Sequence, residues 1–256
     1  MTDATPAAAY VLCSLPRSGT TLLCDLLAQT GVAGKPNSFF REKSLHSWAE
    51  HWALAGDPDP ARAAFSTRYM DAMRTEGRGG TDLFGMRLMG SDLTYACDWL
   101  RRHYQGLPDQ AALFDAAFGP TAFIHLSRHD KLAEAVSYLR AEQSGLWHAN
   151  TDGSDRERIA PVAAHGYDRA AIARRMEMLS ALDARWGSWF ADHDIIPLKL
   201  SYEVLAADPL GVLADVLRYL GLDPAHAARA RPSLRRLSDA TSANWIARFR
   251  AENDLP

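Results

Sequence analysis

The chain has 256 residues, with 28 Lys and Arg against 31 Asp and Glu, for a formal net charge of −3. Apolar residues make up 47% and charged residues 23%, which excludes a disordered chain, a collagen and a coiled coil. The slight acidic excess excludes a broadly basic surface for nucleic acid or membrane, so an anionic ligand must meet a local basic site.

In chain order, Ala9–Cys13 predicts a short buried strand, followed by a turn and a helix over Thr20–Thr30 with Gly31 as its C-cap. The stretch from Val32 to Phe40 holds Gly34, Pro36 and Asn37 and reads as a loop. Helical patterns cover Ser44–Leu54 and Asp59–Thr75, and Gly77-Arg78-Gly79-Gly80 reads as a breaker. Leu83–Met89 predicts a second strand, then helices over Ser91–Tyr104 and Asp109–Phe118, then a third strand over Thr121–Ser127. A helix from Lys131 to Gln143 follows, and Asn150–Ser154 reads as a polar, mobile loop. Tyr167–Asp192 is the longest helical pattern. Ile195–Leu200 is a fourth strand, with Pro197 pointing to an edge or bulge, and Pro209–Leu220 is a helix.

Strands alternating with helices predict an α/β fold: a three-layer αβα arrangement around a central parallel sheet. Its length suits one large α/β domain, read as a single domain over 1–256, or at most two small ones. Ligands of such sheets bind at the carboxyl ends of the strands. Three cysteines, Cys13, Cys24 and Cys97, form no CxxC pair and read as free thiols of a reducing compartment. The N-terminus carries no basic, signal-like region, and Arg17 and Asp25 interrupt the best apolar stretch. A cytoplasmic protein with no integral membrane contact is expected.

The main chemical signal is Ser14-Leu15-Pro16-Arg17-Ser18-Gly19-Thr20-Thr21, a P-loop-like turn between strand and helix. Successive backbone N–H groups at such a turn converge on one point, and the helix N-terminus adds partial positive charge. Gly19 permits close backbone approach, and Arg17 adds a full charge with paired donors. This chemistry suits a phosphate or a sulfate. It departs from the nucleotide-triphosphate loop GxxxxGK[ST]. With Gly19 on that loop's second Gly, Ser14 takes the first and Thr20 takes the Lys position. The third strand ends in Ser127-Arg128, where a Mg²⁺-binding Asp is expected. Both departures argue against ATP or GTP hydrolysis, while a kinase-like nucleotide enzyme stays as an alternative.

A second signal is Arg128 at the end of the third strand, with Ser137 nine residues later, about two turns into the next helix. Together they suit a second anionic group; alone, the stretch reads equally as a helix capped by Asp130. No HExxH or paired CxxC set is present, and the arrangement requires no metal.

The two motifs together resemble the sulfotransferase superfamily, and more narrowly the bacterial trehalose 2-sulfotransferases and related lipopolysaccharide sulfotransferases. The stretches that carry the resemblance are LCSLPRSGTTLLCDLLAQTGVAGKP, SFF at 38–40, FGMRLM, IHLSRHDKLAEAVSYLRAEQ, MLSALDARWGSWF and SDATSANWIARFR. They run in family order over nearly the whole chain. The resemblance implies 3′-phosphoadenosine-5′-phosphosulfate (PAPS) as donor and a carbohydrate hydroxyl, on trehalose, a glycolipid or a lipopolysaccharide sugar, as acceptor. It implies that Arg17, Ser18, Gly19, Thr20 and Thr21 hold the 5′-phosphosulfate and that Arg128 and Ser137 hold the 3′-phosphate. It sets Arg87 near the transferring group, the alternative being a structural ion pair. The segment around Trp245 either closes over the nucleotide or packs onto the core. The resemblance also implies homodimers.

One departure matters. The trehalose enzymes carry a Glu before the Phe-Phe pair as the base for the acceptor's proton, whereas here Ser38 precedes Phe39-Phe40. A serine hydroxyl is no resting base near neutral pH. Glu42, His46 and Glu50 are the nearby candidates: Glu42 is closest in sequence, and His46 is of the type that titrates nearest neutral pH. Trp48 and Trp52 suit a sugar ring or core packing alike. A non-catalytic nucleotide-binding relative is the other alternative that Ser38 leaves open.

Overall fold

The computed structural model describes residues 7–159 and 166–254. In chain order, β1 (Ala9–Ser14) leads into α1 (Thr20–Thr30), and a 3₁₀ turn (Glu42–Ser44) precedes α2 (Leu45–His51) and α3 (Ala63–Arg78). Next come β2 (Phe84–Met89), α4 (Leu93–His103), α5 (Gln110–Phe118), β3 (Thr121–Ser127) and α6 (Lys131–Ser144). A hairpin of β4 (Leu146–Ala149) and β5 (Asp155–Arg158) follows, then α7 (Arg169–Asp192), β6 (Leu198–Ser201) and α8 (Tyr202–Ala207). The chain continues through α9 (Pro209–Tyr219), a 3₁₀ turn (Pro224–Arg229) and α10 (Ala240–Glu252).

Four strands form a parallel sheet in the order β2-β1-β3-β6. β1 is buried along its whole length, and its side chains alternate between the two faces. Ala9, Val11 and Cys13 join a core with Tyr69 and Met73 of α3, Trp99 of α4 and Trp186 of α7. Tyr10 and Leu12 join a second core with Leu23, Leu26 and Leu27 of α1 and Val212 and Val216 of α9. A parallel sheet buried on both faces between helical layers is the expected αβα arrangement. β6 is an edge strand, and Pro197 lies just before it, where no ladder hydrogen bond is lost. Trp186 donates its indole N–H to the Ser14 carbonyl at 3.2 Å, which pins β1 where the anion-binding turn begins.

Two predicted segments differ. α3 starts at Ala63 and runs through Gly77 and Arg78 to end at Gly79. Gly77 serves packing, because a Cβ there would meet Phe84 Cε2 at 2.4 Å. The stretch Asn150–Ser154 is the tip of the β4–β5 hairpin, closed by Asn150 N–H on Ser154 O and by Ser154 on Asp152 Oδ1. The segment after the second 3₁₀ turn lies along this hairpin: Thr151 N–H donates to Ser233 O and Arg235 N–H donates to Ala149 O. Arg156 and Ser233 both hold Asp25 of α1, at 2.7 Å each. The hairpin is thereby tied to α1 over the site. Among the described residues, no helix is long and apolar enough to cross a membrane.

Candidate functional site

The turn after β1 has alternating backbone handedness, with Arg17 at φ 69° and Gly19 at φ 86°. A left-handed arginine is uncommon and costs about 1–2 kcal/mol. The turn is closed by Ser18, whose hydroxyl donates to the Leu15 carbonyl at 2.7 Å. Ser18 is therefore fully buried, and unlike Arg17, Gly19, Thr20 and Thr21 it does not line the cleft. Gly19 caps α1 without any side-chain hydrogen bond, so the N–H groups of the first turn carry the helix dipole toward the cleft. Gly19 also lies against Tyr202, since a Cβ would meet that ring at 2.9 Å.

Arginines from three strand ends converge here. Arg17 donates through Nε to Ser137 Oγ at 3.0 Å and through Nη1 to the Trp147 carbonyl. The two sequence motifs thus touch. Arg87 donates to Ser38 Oγ at 2.8 Å and to Thr21 Oγ1 at 2.9 Å. These partners are neutral, so Arg87 is not the structural ion pair that its strand position left open. Arg128 lies over the Tyr202 ring, 4.4 Å from the centroid, and its Nε is buried with no partner among the described residues. Asp130 caps α6 by accepting from Ala133 N–H at 2.8 Å, and so fixes the helix that carries Ser137.

These groups line a cleft of about 660 Å³. Seven basic residues line it (Arg17, Arg41, Lys43, Arg87, Arg128, Arg235 and Arg236), against the acidic Glu42, Asp92 and Glu157. An acidic chain therefore holds a strongly positive cleft. Burial, then the neighbouring Arg128, lowers the Arg17 guanidinium to about 10, which leaves it charged at neutral pH.

Gly19, Thr20, Thr21, Arg87, Arg128, Ser137 and Glu42 all line the cleft with Arg17, and Glu42 lies exposed on its rim. Trp245 does not. It is 8% exposed, in edge-on contact with Tyr167, because Trp245 and Phe249 form the core-facing stripe of α10. Ser242 and Ile246 of the same helix face the cleft instead. His46 and Glu50 are exposed on α2 and do not line it. Trp48 and Trp52 stack on each other at 5.0 Å and pack around Phe39, so they are core residues and offer no platform to a sugar in this cleft. Trp48 serves the site indirectly, donating to the Ser38 carbonyl at 3.0 Å.

Tyr202, Trp147, His148, Arg235 and Arg236 are cleft residues that the sequence reading missed. His148 Nε2 lies 3.0 Å from Thr21 Oγ1 and 3.5 Å from Glu157 Oε2. Burial, then Arg17, Arg87 and Arg156, pushes its imidazole down to about 3. It is neutral at pH 7.

A buried polar cluster lies behind Arg128. Lys131 bridges Glu134 at 3.0 Å and Asp183 at 2.8 Å, and His125 lies 3.1 Å from Asp183. Burial raises Glu134 from 4.5 to about 7, against the opposing pull of Lys131. With its folded pKa above its unfolded one, Glu134 contributes stability that is full below about 4.5 and is lost as pH rises through about 7. Glu134→Gln should therefore gain stability relative to wild type between pH 5 and pH 8. Urea midpoints at the two pH values check this, and an equal difference at both counts against it.

The cleft thus gathers the turn, Arg17, Arg87 and Arg128 with Ser137, which Arg17 holds, and the buried Arg128 Nε has no partner among the described residues. A family model for Stf0 sulphotransferases matches residues 9–252. The trehalose 2-sulfotransferase of Mycolicibacterium smegmatis is 30% identical over 270 aligned residues, covering 95% of each chain. That of Mycobacterium tuberculosis is 29% identical over 265, covering 95% of this chain and 94% of the relative. The sulfotransferase domain of the Synechococcus PCC 7002 olefin synthase aligns with 99% of this chain and 98% of that domain, at 16% identity and a TM-score of 0.46. With nearly its whole length covered by the family model, the chain belongs to the Stf0 sulphotransferase family and is a sulfotransferase.

Proposed function

We propose that the chain moves a sulfuryl group from PAPS to a hydroxyl of a carbohydrate acceptor. The observation that carries this reading is the convergence of Arg17, Arg87 and Arg128 on one cleft, beside an uncapped helix N-terminus. In this reading Arg17 and the backbone of Ser18, Gly19, Thr20 and Thr21 hold the 5′-phosphosulfate. Arg128 and Ser137 hold the 3′-phosphate, which supplies the partner that Arg128 Nε lacks. Charge builds on the bridging oxygen as its bond to sulfur breaks, and Arg17 with the α1 N-terminus stabilises it by the logic of phosphoryl transfer. Arg87 serves the transferring group. The acceptor's proton goes to a cleft residue other than Ser38, with Glu42 as the nearest in sequence.

The two mycobacterial relatives support a sugar acceptor, and Ser38 favours a glycolipid or lipopolysaccharide sugar over trehalose itself. Mass spectrometry of carbohydrate and glycolipid extracts incubated with ³⁵S-labelled PAPS tests the reading; labelled carbohydrate is expected, and none would count against it. Thermal shift separates it from a kinase-like enzyme. Adenosine 3′,5′-bisphosphate should stabilise the fold, and stabilisation by ATP·Mg²⁺ alone would favour the kinase. The three buried free thiols support a cytoplasmic, reducing location. A homodimer of single-domain chains follows from the resemblance, and sedimentation at micromolar concentration checks it.

A further inference from the structure

We propose that His148, on the β4 strand of the hairpin, is the base that takes the proton of the acceptor hydroxyl. This rests on the sulfotransferase reading of the cleft. Direct transfer to a neutral hydroxyl needs a proton acceptor beside the transferring group, and Ser38 cannot supply one. Among the described residues, the cleft holds three carboxylates and one imidazole able to accept a proton: Glu42, Asp92, Glu157 and His148. Glu42 and Glu157 are exposed on its rim. Asp92 takes a hydrogen bond from Ser91 at 3.2 Å at the start of α4, where burial raises its carboxyl against the pull of Ser91, Arg41, Arg87 and Lys43, and among the described residues it makes no hydrogen bond to the turn.

His148 alone among them is joined to the donor-binding residues. Its Nε2 is 3.0 Å from Thr21 Oγ1, and that oxygen accepts from Arg87 Nη1 at 2.9 Å. Thr21 Oγ1 has one proton and two lone pairs, so it can donate to an unprotonated Nε2 while one lone pair accepts from Arg87 and the other stays open to the acceptor hydroxyl. The charged neighbours are Arg17 from the turn, Arg87 from β2, Arg156 and Glu157 from β5, and Arg235, whose backbone pairs with Ala149 beside it. Burial first, and then three of these cations, hold the imidazole neutral. Two of them, Arg17 and Arg87, are the ones that a bound phosphosulfate neutralises. Donor binding therefore strengthens the base at the step that needs it.

The step balances. The acceptor oxygen forms a bond to sulfur while the bond from sulfur to the bridging oxygen breaks, and its electron pair stays on the nucleotide phosphate. The acceptor's hydroxyl proton passes to Thr21 Oγ1 as the Thr21 proton passes to His148 Nε2, and it leaves from there to solvent after the product departs.

Two measurements on the full chain test this. In wild type labelled with ¹⁵N-histidine, the His148 imidazole should titrate at higher pH with adenosine 3′,5′-bisphosphate and inorganic sulfate bound than without them. His148→Gln should lower kcat about 100-fold and remove the acid limb of the kcat profile, which reports the donor-bound state, while calorimetric affinity for the bisphosphate changes less than threefold. Trehalose and a glycolipid extract serve as acceptors, with Glu42→Gln and Asp92→Asn run in parallel. An imidazole that titrates alike with and without the nucleotide overturns the proposal whatever the turnover. So does a His148→Gln enzyme that keeps its acid limb while a carboxylate variant loses it. A wild-type chain that does not bind the bisphosphate would sink the donor assignment itself, and the proposal with it.

Discussion

Replacing Arg17 by Ala should lower turnover by about 10²- to 10³-fold, or about 2.7–4 kcal/mol of transition-state stabilisation. The argument combines position with charge. Arg17 lies in the turn at the end of β1 and reaches across to Ser137 and the Trp147 carbonyl, so it spans both halves of the donor site. It stays charged although mostly buried, because even lowered to about 10 its guanidinium is protonated at neutral pH. A charge preorganised in a partly desolvated cleft acts on the developing negative charge with little reorganisation. Single-turnover kinetics with PAPS read the effect. Because the residue sits in left-handed backbone at φ 69°, Arg17→Gly separates the side chain from the strain. It should lose the same turnover while relieving the backbone. Near wild-type transfer by both variants would remove Arg17 from the donor site.

Arg128→Ala should weaken binding of adenosine 3′,5′-bisphosphate by about 10- to 100-fold, the size expected for about 1.5–3 kcal/mol of charged hydrogen bonding. The Arg128 guanidinium lies over the Tyr202 ring, and its Nε is buried without a partner among the described residues, a costly arrangement that a ligand oxygen would relieve. The loss should fall on the donor's KM more than on kcat, because the 3′-phosphate stands away from the reacting bond. Calorimetry with adenosine 3′,5′-bisphosphate and with adenosine 5′-phosphate checks the assignment. The variant should discriminate poorly between them, and unchanged discrimination would argue that Arg128 serves only to pack Tyr202.

The parts of this molecule that were legible in sequence are those built from local rules. β3 and α1 fall on their predicted residues, and Asp130 at the head of α6 caps it. Each is fixed by periodicity, a cap or a glycine within a few residues. Gly77 shows the limit: it reads as a breaker locally, yet it stays helical because Phe84 of β2 takes the space a side chain would need. The β4–β5 hairpin left no periodic trace, since each of its strands is four residues long and β5 (Asp-Arg-Glu-Arg) is exposed throughout. The same holds for the site. Arg17, Arg128 and Ser137 announce themselves through motif spacing. His148, Tyr202 and Arg236 reach the cleft from segments with no motif, brought there by the hairpin, by the turn after β6 and by the chain paired to the hairpin. For Trp245 the sequence left two readings open, closing over the nucleotide or packing onto the core, and it packs onto the core from α10.

The arginines that converge on the turn bond to hydroxyls and a carbonyl, not to carboxylates. Among the described residues, no carboxylate bonded to these arginines has to be displaced before a polyanion enters, so the cleft favours phosphate-like ions in general. Capture of the donor should therefore be fast in dilute buffer and slow markedly as ionic strength shortens the reach of the field. Inorganic phosphate and sulfate should compete for the same arginines. For this enzyme the choice of buffer salt is itself a choice of inhibitor.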